Sequence, residues 1–167
     1  MHGAIVEPLL PETFAPFGDV VSAGLREGSA ANQGTAVRFD WAAQFVNARD
    51  TARPNLAVFR SVGRTLPLEV KLLERHPKST QLFLPMVADG YVVIVAPDAE
   101  DGGPDVARLR AFLARPGQGI NYKPNTWHHP LAALGRDADF AMLAWEDGTD
   151  LDCEVRPLPD PVIVRES

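Results

Sequence analysis

The clearest pattern of apolar and polar positions lies in residues 66–76. The even positions carry the apolar residues Leu66, Leu68, Val70 and Leu72. Successive side chains of a β-strand point to opposite faces, so this alternation predicts a strand whose even positions are buried. Continuing the same face places Glu74 and His76 on it, at the end of an apolar stripe. A carboxylate and an imidazole in that position suit the mouth of a barrel cavity.

Short apolar segments separated by glycine and proline recur along the chain. Further strands are predicted at residues 19–21, 56–61, 81–86, 91–97, 109–114, 119–123, 127–134, 139–146 and 162–164. The last is expected at a sheet edge, and 109–114 could instead extend a helical turn predicted at 104–108. Phe14 and Phe17 share one face of a short helix predicted at 11–17, and a polar loop is expected at 24–33. Many short strands predict an all-β sandwich or barrel, formed by one domain over residues 1–167.

Charge and cysteine content narrow the possible partners and location. Sixteen Lys and Arg against 22 Asp and Glu give a net charge of −6 and a pI of about 5.1, which disfavours binding to nucleic acid or anionic membranes. Cys153 is the single cysteine, so an intrachain disulfide and a cysteine-rich zinc site are excluded. Its acidic neighbours predict an unreactive thiol. Without a signal-peptide pattern or a long apolar run, we expect a cytoplasmic protein.

Residues 119–130 form the second segment with candidate chemistry. His128 and His129 are adjacent, so in a strand only one of them faces a given cavity, and Trp127 shares the parity of His129. The plainer interpretation is a pair beside a turn, with one histidine solvated and the other hydrogen-bonded. Glu74 and His76 likewise could be a pair satisfied by backbone groups near a strand end.

The two segments together favour a functional centre. His76, His128, Glu74 and Gln81 could hold a divalent metal and leave coordination positions open for a substrate. The same residues also suit acid–base catalysis without a metal, because a histidine can donate or accept a proton near neutral pH. The sequence contains no phosphate-binding glycine loop and no GxSxG nucleophile motif.

Four stretches of the chain resemble the ureidoglycolate lyase family of allantoin catabolism: residues 14–21, 32–40, 74–86 and 110–131. The most specific pieces are Glu-Arg-His-Pro at 74–77 and Trp-His-His-Pro at 127–130, which occur in the family's order and spacing. Two departures are visible. Gln33 stands where the family often has asparagine, and Lys123 stands where bacterial members can have histidine.

The resemblance implies a cupin-like jelly-roll β-barrel with a few short peripheral helices, assembled as a homodimer. It also implies cleavage of (S)-ureidoglycolate into glyoxylate and urea. The catalytic residues expected on this basis are His76, His128, Glu74 and Lys123. Those expected to bind the substrate are Asn32, Arg38, Arg75, Gln81, Trp127 and His129. A divalent metal, nickel by resemblance, would be held by Glu74, His76, Gln81 and His128.

Two other functions remain compatible with the sequence. A cupin-type module could bind a small carboxylate in the same pocket without catalysis. A metal-dependent cupin dioxygenase or isomerase is also conceivable, but the chain lacks the close His-x-His pair usual in such cupins.

Overall fold

The computed structural model describes residues 3–166 and is built mainly from β-strands, at 52% strand and 6% helix. This confirms the all-β prediction. The strands, in chain order, are β1 (Gly3–Pro8), β2 (Gly18–Val21), β3 (Ser29–Ala31), β4 (Ala36–Arg38), β5 (Arg53–Ser61), β6 (Leu68–Arg75), β7 (Gln81–Val87), β8 (Tyr91–Ala96), β9 (Arg110–Ala114), β10 (Gly119–Tyr122), β11 (Trp127–His128), β12 (Ala132–Ala133), β13 (Ala138–Glu146) and β14 (Glu154–Arg165). One short α-helix, α1 (Pro11–Phe14), and two 3₁₀ helices, Asn32–Gly34 and Val106–Arg108, complete the elements.

Six strands close into a barrel in the order β11-β6-β14-β1-β9-β8, because β8 pairs back to β11. Strand β1 runs parallel to β14 and β9, while the other pairs are antiparallel, so the barrel is mixed. Its interior is apolar, with Trp127 as the largest member. The main buried residues of this cluster are Leu68, Val70, Leu73, Val92, Ile94, Ala111, Trp127, Val162 and Val164. The barrel is therefore a packed core rather than an open channel.

A five-stranded sheet, ordered β2-β10-β7-β13-β5, packs against the outer face of β8 and β9. Alternate residues of β8 divide between the two cores, with Val93 and Val95 on this side and Ile94 inside the barrel. The second core is rich in aromatic rings, namely Phe14, Phe17, Phe83, Tyr91, Phe112, Tyr122 and Phe140. The layer between barrel and sheet is where the candidate site lies.

The prediction of which positions of β6 face the barrel interior is wrong for the second half of the strand. Leu68 and Val70 are buried in the barrel as expected, but the next buried residue is Leu73, while Leu72 is only partly buried. The cause is an irregularity in the partner strand: the pairing of β6 with β14 shifts register between Pro157 and Val162. Glu74 therefore does not continue the barrel stripe; it faces the layer between barrel and sheet.

Four other expectations need correction. The loop predicted at 24–33 contains β3 and the start of a 3₁₀ helix, and the helix predicted at 11–17 is only the four-residue α1. The strand predicted at 127–134 is two short strands, β11 and β12, separated by a segment containing Pro130. The edge strand predicted at 162–164 belongs to the 12-residue β14, which lies between β6 and β1. The remaining predicted strands are confirmed within a few residues at each end.

Candidate active site and metal centre

Glu74, His76 and His128 meet where β6, β11 and the segment after β6 come together. Glu74 and His128 are directly opposite each other on the paired strands, with His128 Nε2 at 3.5 Å from Glu74 Oε1. The two imidazole centroids are 5.6 Å apart. One candidate ligand atom from each of the three residues lies within 4.8 Å of the others. The sequence prediction that these three residues converge is consistent with this geometry.

Both histidines are held in the same tautomer by backbone carbonyls. His76 Nδ1 lies 2.7 Å from the carbonyl oxygen of Asp152, and His128 Nδ1 lies 2.9 Å from that of Thr126. A carbonyl oxygen only accepts, so each Nδ1 carries the proton and each neutral ring presents a lone pair at Nε2. Within residues 3–166, both Nε2 atoms are buried without a hydrogen-bond partner. Metal-ligating histidines are commonly oriented in this way.

The charges of the cluster suit a divalent cation. When His128 Nε2 carries a proton, its hydrogen bond to Glu74 lowers the pKa of that carboxyl group, so the carboxylate is ionised beside the charged ring. Burial lowers the pKa of His76, and the neighbouring His128 adds to this effect, so His76 stays neutral. Two neutral imidazole nitrogens and one carboxylate are a donor set that fits zinc, nickel or a similar ion. The residues present therefore fit a metal.

Gln81 and Tyr122 complete the site from the side of the five-stranded sheet. They are paired across β7 and β10. The Tyr122 ring stacks on His128 with centroids 4.1 Å apart and planes 16° from parallel. Gln81 is buried, and its Oε1 has no hydrogen-bond partner among the residues described. Gln81 therefore offers an amide beside the cluster, either to a metal or to a substrate.

A cavity of about 370 Å³ adjoins the cluster and is lined by both His76 and Gln81. This volume lies in the range of small-molecule sites. Most of its other lining residues carry polar side chains: Arg49, Ser79, Thr80, Ala144, Trp145, Glu146, Gly148, Thr149, Asp150, Asp152 and Cys153. The cavity has room for a small polar metabolite next to the histidines.

Trp127 and Arg75, which were predicted to bind substrate, lie on the opposite face of β11 and β6 from the cluster. Trp127 is fully buried in the barrel interior. The Arg75 guanidinium stacks over the Trp127 ring at 4.2 Å and pairs with Glu154 at 2.7 Å. Since neighbours along a strand face opposite ways, Arg75 and Glu74 point apart. Both residues here have structural contacts, and the structure does not bring them to the Glu74 cluster.

The remaining predicted residues differ in their distance from the cluster. His129 is close enough for the charge of Glu74 to affect it; burial lowers the pKa of His129, and its Nδ1 donates to the carbonyl of Pro130. Lys123 is exposed and donates to the carbonyl of Ala15. Arg38 is exposed and pairs with Asp40. Asn32 begins an exposed 3₁₀ helix. The contacts of Lys123, Arg38 and Asn32 are all outside the cluster.

Sequence reasoning missed Asp152, Thr126 and Tyr122, which hold the two imidazoles. Tyr122 and Thr126 lie in the segment that carries His128, so their proximity to that residue was available from the sequence. Nothing in the sequence links Asp152 to His76, because that contact joins residues 76 positions apart. Its only signal was an aspartate within an acidic run before Cys153.

A mixed β-barrel with a histidine–carboxylate centre beside a cavity of small-molecule size defines a cupin-like protein that acts on a small molecule. The family model described as "Ureidoglycolate lyase" matches residues 1–165, and the chain belongs to this family. A relative named ureidoglycolate lyase from Burkholderia mallei (strain NCTC 10229) is 43% identical over 138 residues, which cover 83% of this chain and 79% of the relative. Another of that name, from Brucella anthropi, is 41% identical over 139 residues, which cover 83% and 80%.

A solved dTDP sugar isomerase from Desulfovibrio desulfuricans G20 aligns with 86% of this chain and 83% of its own, at a TM-score of 0.48 and 16% identity. That similarity is too low to carry a conclusion. Within residues 3–166, no helix has the length and apolar character needed to cross a membrane.

Proposed function

We propose that this chain is a ureidoglycolate lyase, which cleaves (S)-ureidoglycolate into glyoxylate and urea. The observation that carries the proposal is the convergence of two buried Nε2 lone pairs and the Glu74 carboxylate beside a cavity of about 370 Å³. The family match and the names of the relatives support the same reaction. No observation favours a binding module without catalysis.

The substrate is a hemiaminal, in which one carbon bears a hydroxyl group, a ureido nitrogen and a carboxylate. Cleavage removes the hydroxyl proton, forms the carbonyl of glyoxylate and breaks the carbon–nitrogen bond. The departing nitrogen takes up a proton and leaves as urea, so the proton removed at one atom balances the one added at the other. A base and an acid placed within one site are therefore sufficient.

In the metal-free form of this mechanism, the proton transfers are carried by His76 and His128. The Nε2 lone pair of one ring accepts the hydroxyl proton, and the resulting imidazolium donates to the leaving nitrogen. Glu74 lies 3.5 Å from His128 Nε2 and stabilises that charged ring. Gln81, with its free amide oxygen, is placed to accept from the ureido N–H groups. Lys123 and His129 stay predictions as catalytic and substrate-binding residues, and so do Asn32 and Arg38.

In the metal-bound form, Glu74, His76 and His128 would hold a divalent cation, and Gln81 could add its amide oxygen. A cation there would supply Lewis-acid stabilisation of negative charge on a substrate oxygen. The same Nε2 lone pairs cannot ligate a cation and accept a proton at once, so the two forms exclude each other. Metal content and chelator sensitivity decide between them, and the family resemblance names nickel as the first ion to assay.

The test is release of urea and glyoxylate from racemic ureidoglycolate by the pure protein, with and without a chelator, after subtraction of spontaneous breakdown. We expect fast release that stops at half of the substrate, because one enantiomer is consumed. Absence of release above background in every metal state would overturn the proposal. Thermal stabilisation by glyoxylate without turnover would then support a carboxylate-binding module.

We also propose that a second copy of the chain covers the outer face of the five-stranded sheet. Leu56 and Val58 of β5 are 72% and 65% exposed, and Met86 of β7 is also exposed. They continue an apolar face formed with Ala141 and Leu143, which stand opposite Val58 and Leu56. A patch of this kind on a soluble domain marks an interaction surface.

Sedimentation of wild type and Val58→Asp tests this assembly. We expect a dimer for wild type and a monomer for the variant. Ile5→Asp is the matched control, since Ile5 is an exposed apolar residue of β1, away from this sheet. A monomeric wild type, or dissociation by both variants, would contradict the assignment. The cytoplasmic location also remains a proposal, supported by the single cysteine and tested by cell fractionation.

A further inference from the structure

We infer that Asp152 is a positioning residue that fixes the tautomer and orientation of His76; the inference rests on the proposed function of that histidine. Asp152 lies in the loop between β13 and β14 and is 5% exposed. Its backbone carbonyl accepts from His76 Nδ1 at 2.7 Å. Neither the sequence pattern nor the family resemblance assigns this residue a role.

The carboxylate of Asp152 binds the chain just after His76. Oδ1 accepts from the backbone N–H of Lys78, and Oδ2 accepts from the Ser79 hydroxyl, both at 2.5 Å. One residue thus holds the imidazole by its carbonyl and the following backbone by its side chain. Because both ends of the interaction are fixed, the carbonyl cannot move away from Nδ1 without breaking two further hydrogen bonds.

Arg49 balances the buried charge of this network. Its guanidinium is 11% exposed and lies 3.4 Å from Asp152 Oδ2 and 3.1 Å from Asp147 Oδ2. It also donates from Nη2 to the carbonyl of Trp145 at 2.5 Å. A buried carboxylate is costly unless it is paired and hydrogen-bonded, and Asp152 has both kinds of partner. Arg49 therefore compensates the charge of the buried Asp152 carboxylate and ties the loop to the rest of the chain.

The consequence is chemical rather than only structural. The ring of a solvated neutral histidine prefers its proton on Nε2, which would remove the lone pair that faces the Glu74 cluster. The Asp152 carbonyl selects the opposite tautomer and leaves Nε2 free to ligate a cation or accept a proton. Partners of this kind typically contribute 10- to 100-fold to metal affinity or activity.

The experiment compares Asp152→Ala with Asp150→Ala in metal-free protein. Asp150 lies in the same loop and lines the same cavity, but its carboxylate has no hydrogen bond or ion pair within the part of the chain that the structure describes. ¹⁵N NMR of the His76 ring at alkaline pH reports the tautomer directly. We expect Nδ1–H in wild type and Asp150→Ala, and a shift towards Nε2–H in Asp152→Ala.

The second readout is the binding of nickel or zinc alone to each variant. We expect a 10- to 100-fold loss of affinity for Asp152→Ala and little change for Asp150→Ala. Asp152→Ala and Asp152→Asn both keep the backbone carbonyl, but Asp152→Asn also keeps a side-chain acceptor for Lys78 N–H or the Ser79 hydroxyl, so it should restore part of both signals. If Asp152→Ala does not fold, Ser79→Ala removes one of the carboxylate's partners and should give a smaller shift of the same sign.

The inference would be overturned if Asp152→Ala kept the wild-type tautomer of His76 and bound the metal as tightly as Asp150→Ala does. This outcome is separate from failure of the lyase assignment. The tautomer and metal affinity do not depend on turnover, so a wild-type protein without lyase activity would still give a clear answer about Asp152.

Discussion

The two histidines of the site are oriented by different parts of the molecule. His128 is 2% exposed, lies within β11, donates to a carbonyl two residues away and stacks on Tyr122 of the adjoining sheet. His76 follows the end of β6 and donates to a carbonyl 76 residues away, in a loop held by an ionic network. One imidazole is fixed by the aromatic core, and the other by polar long-range contacts.

Because of this difference, changes near the two histidines should affect the stability of the fold and the arrangement of the site to different degrees. The support of His128 belongs to the apolar core between barrel and sheet, so weakening it should reduce the free energy of unfolding as well as activity. The support of His76 consists of hydrogen bonds and ion pairs near the cavity. Weakening it should disturb the site more than the fold.

The largest effect is expected at Glu74, whose carboxylate lies close to both histidines. Glu74→Gln removes the negative charge that faces His128 and replaces a candidate carboxylate ligand with a neutral amide. We expect turnover to fall by roughly 10²- to 10⁴-fold, the range of a lost acid–base or charge-stabilising group. Steady-state release of urea and glyoxylate measures this, with Glu69→Gln as control.

Glu69 is a suitable control because it lies on the same strand, is exposed and pairs only with Lys71 within residues 3–166. Its change removes one negative charge from β6 without touching the site. Equal turnover in the Glu74→Gln and wild-type proteins would place the chemistry elsewhere in the cavity.

A smaller effect is expected at Tyr122, the residue that stacks on His128. Tyr122→Phe keeps the ring and should leave turnover within a few-fold of wild type. Tyr122→Leu removes the stacked ring, and we expect a loss of about 1–3 kcal/mol in unfolding free energy and a fall in kcat of about 10-fold.

Phe140→Leu is the matched control for Tyr122→Leu. Phe140 is fully buried in the same core and packs on Tyr91 with centroids 5.0 Å apart. Denaturant unfolding should show a similar loss for both leucine variants, while kcat should fall only for Tyr122→Leu. A parallel fall in both would mean that the stacking contributes to stability alone.

The same contrast explains how much of the site the sequence could predict. Alternation located β6, and a continuous apolar run located β8. Tyr122 and Thr126, which support His128, lie close to it in the sequence, although the prediction did not include them. The phase of Glu74 could not be predicted, because it depends on the register shift in β14, far along the chain. Asp152 and Arg49 were missed for the same reason: their contacts with the His76 segment and with each other exist only after the barrel has closed.

The smallest effect is expected for the stability of the protein in acid, and it depends on Asp147 in the loop that supports His76. Hydrogen bonds from Thr149 and Thr51, with Arg49 nearby, lower the pKa of Asp147 to about 2 from a usual value of 3.8. The folded state therefore holds fewer protons on Asp147 than the unfolded state, so this carboxylate stabilises the fold above pH 3.8. The stabilisation disappears as the pH falls through about 2.

Asp147→Asn should thus be less stable than wild type near neutral pH, and the difference in unfolding free energy should disappear in acid. Urea unfolding across that pH range measures the difference, with Asp150→Asn as the control that shows none. A difference that stays constant down to the lowest pH would show that Asp147 acts through shape rather than charge, and the polar support of His76 would then be less pH-sensitive than the network implies.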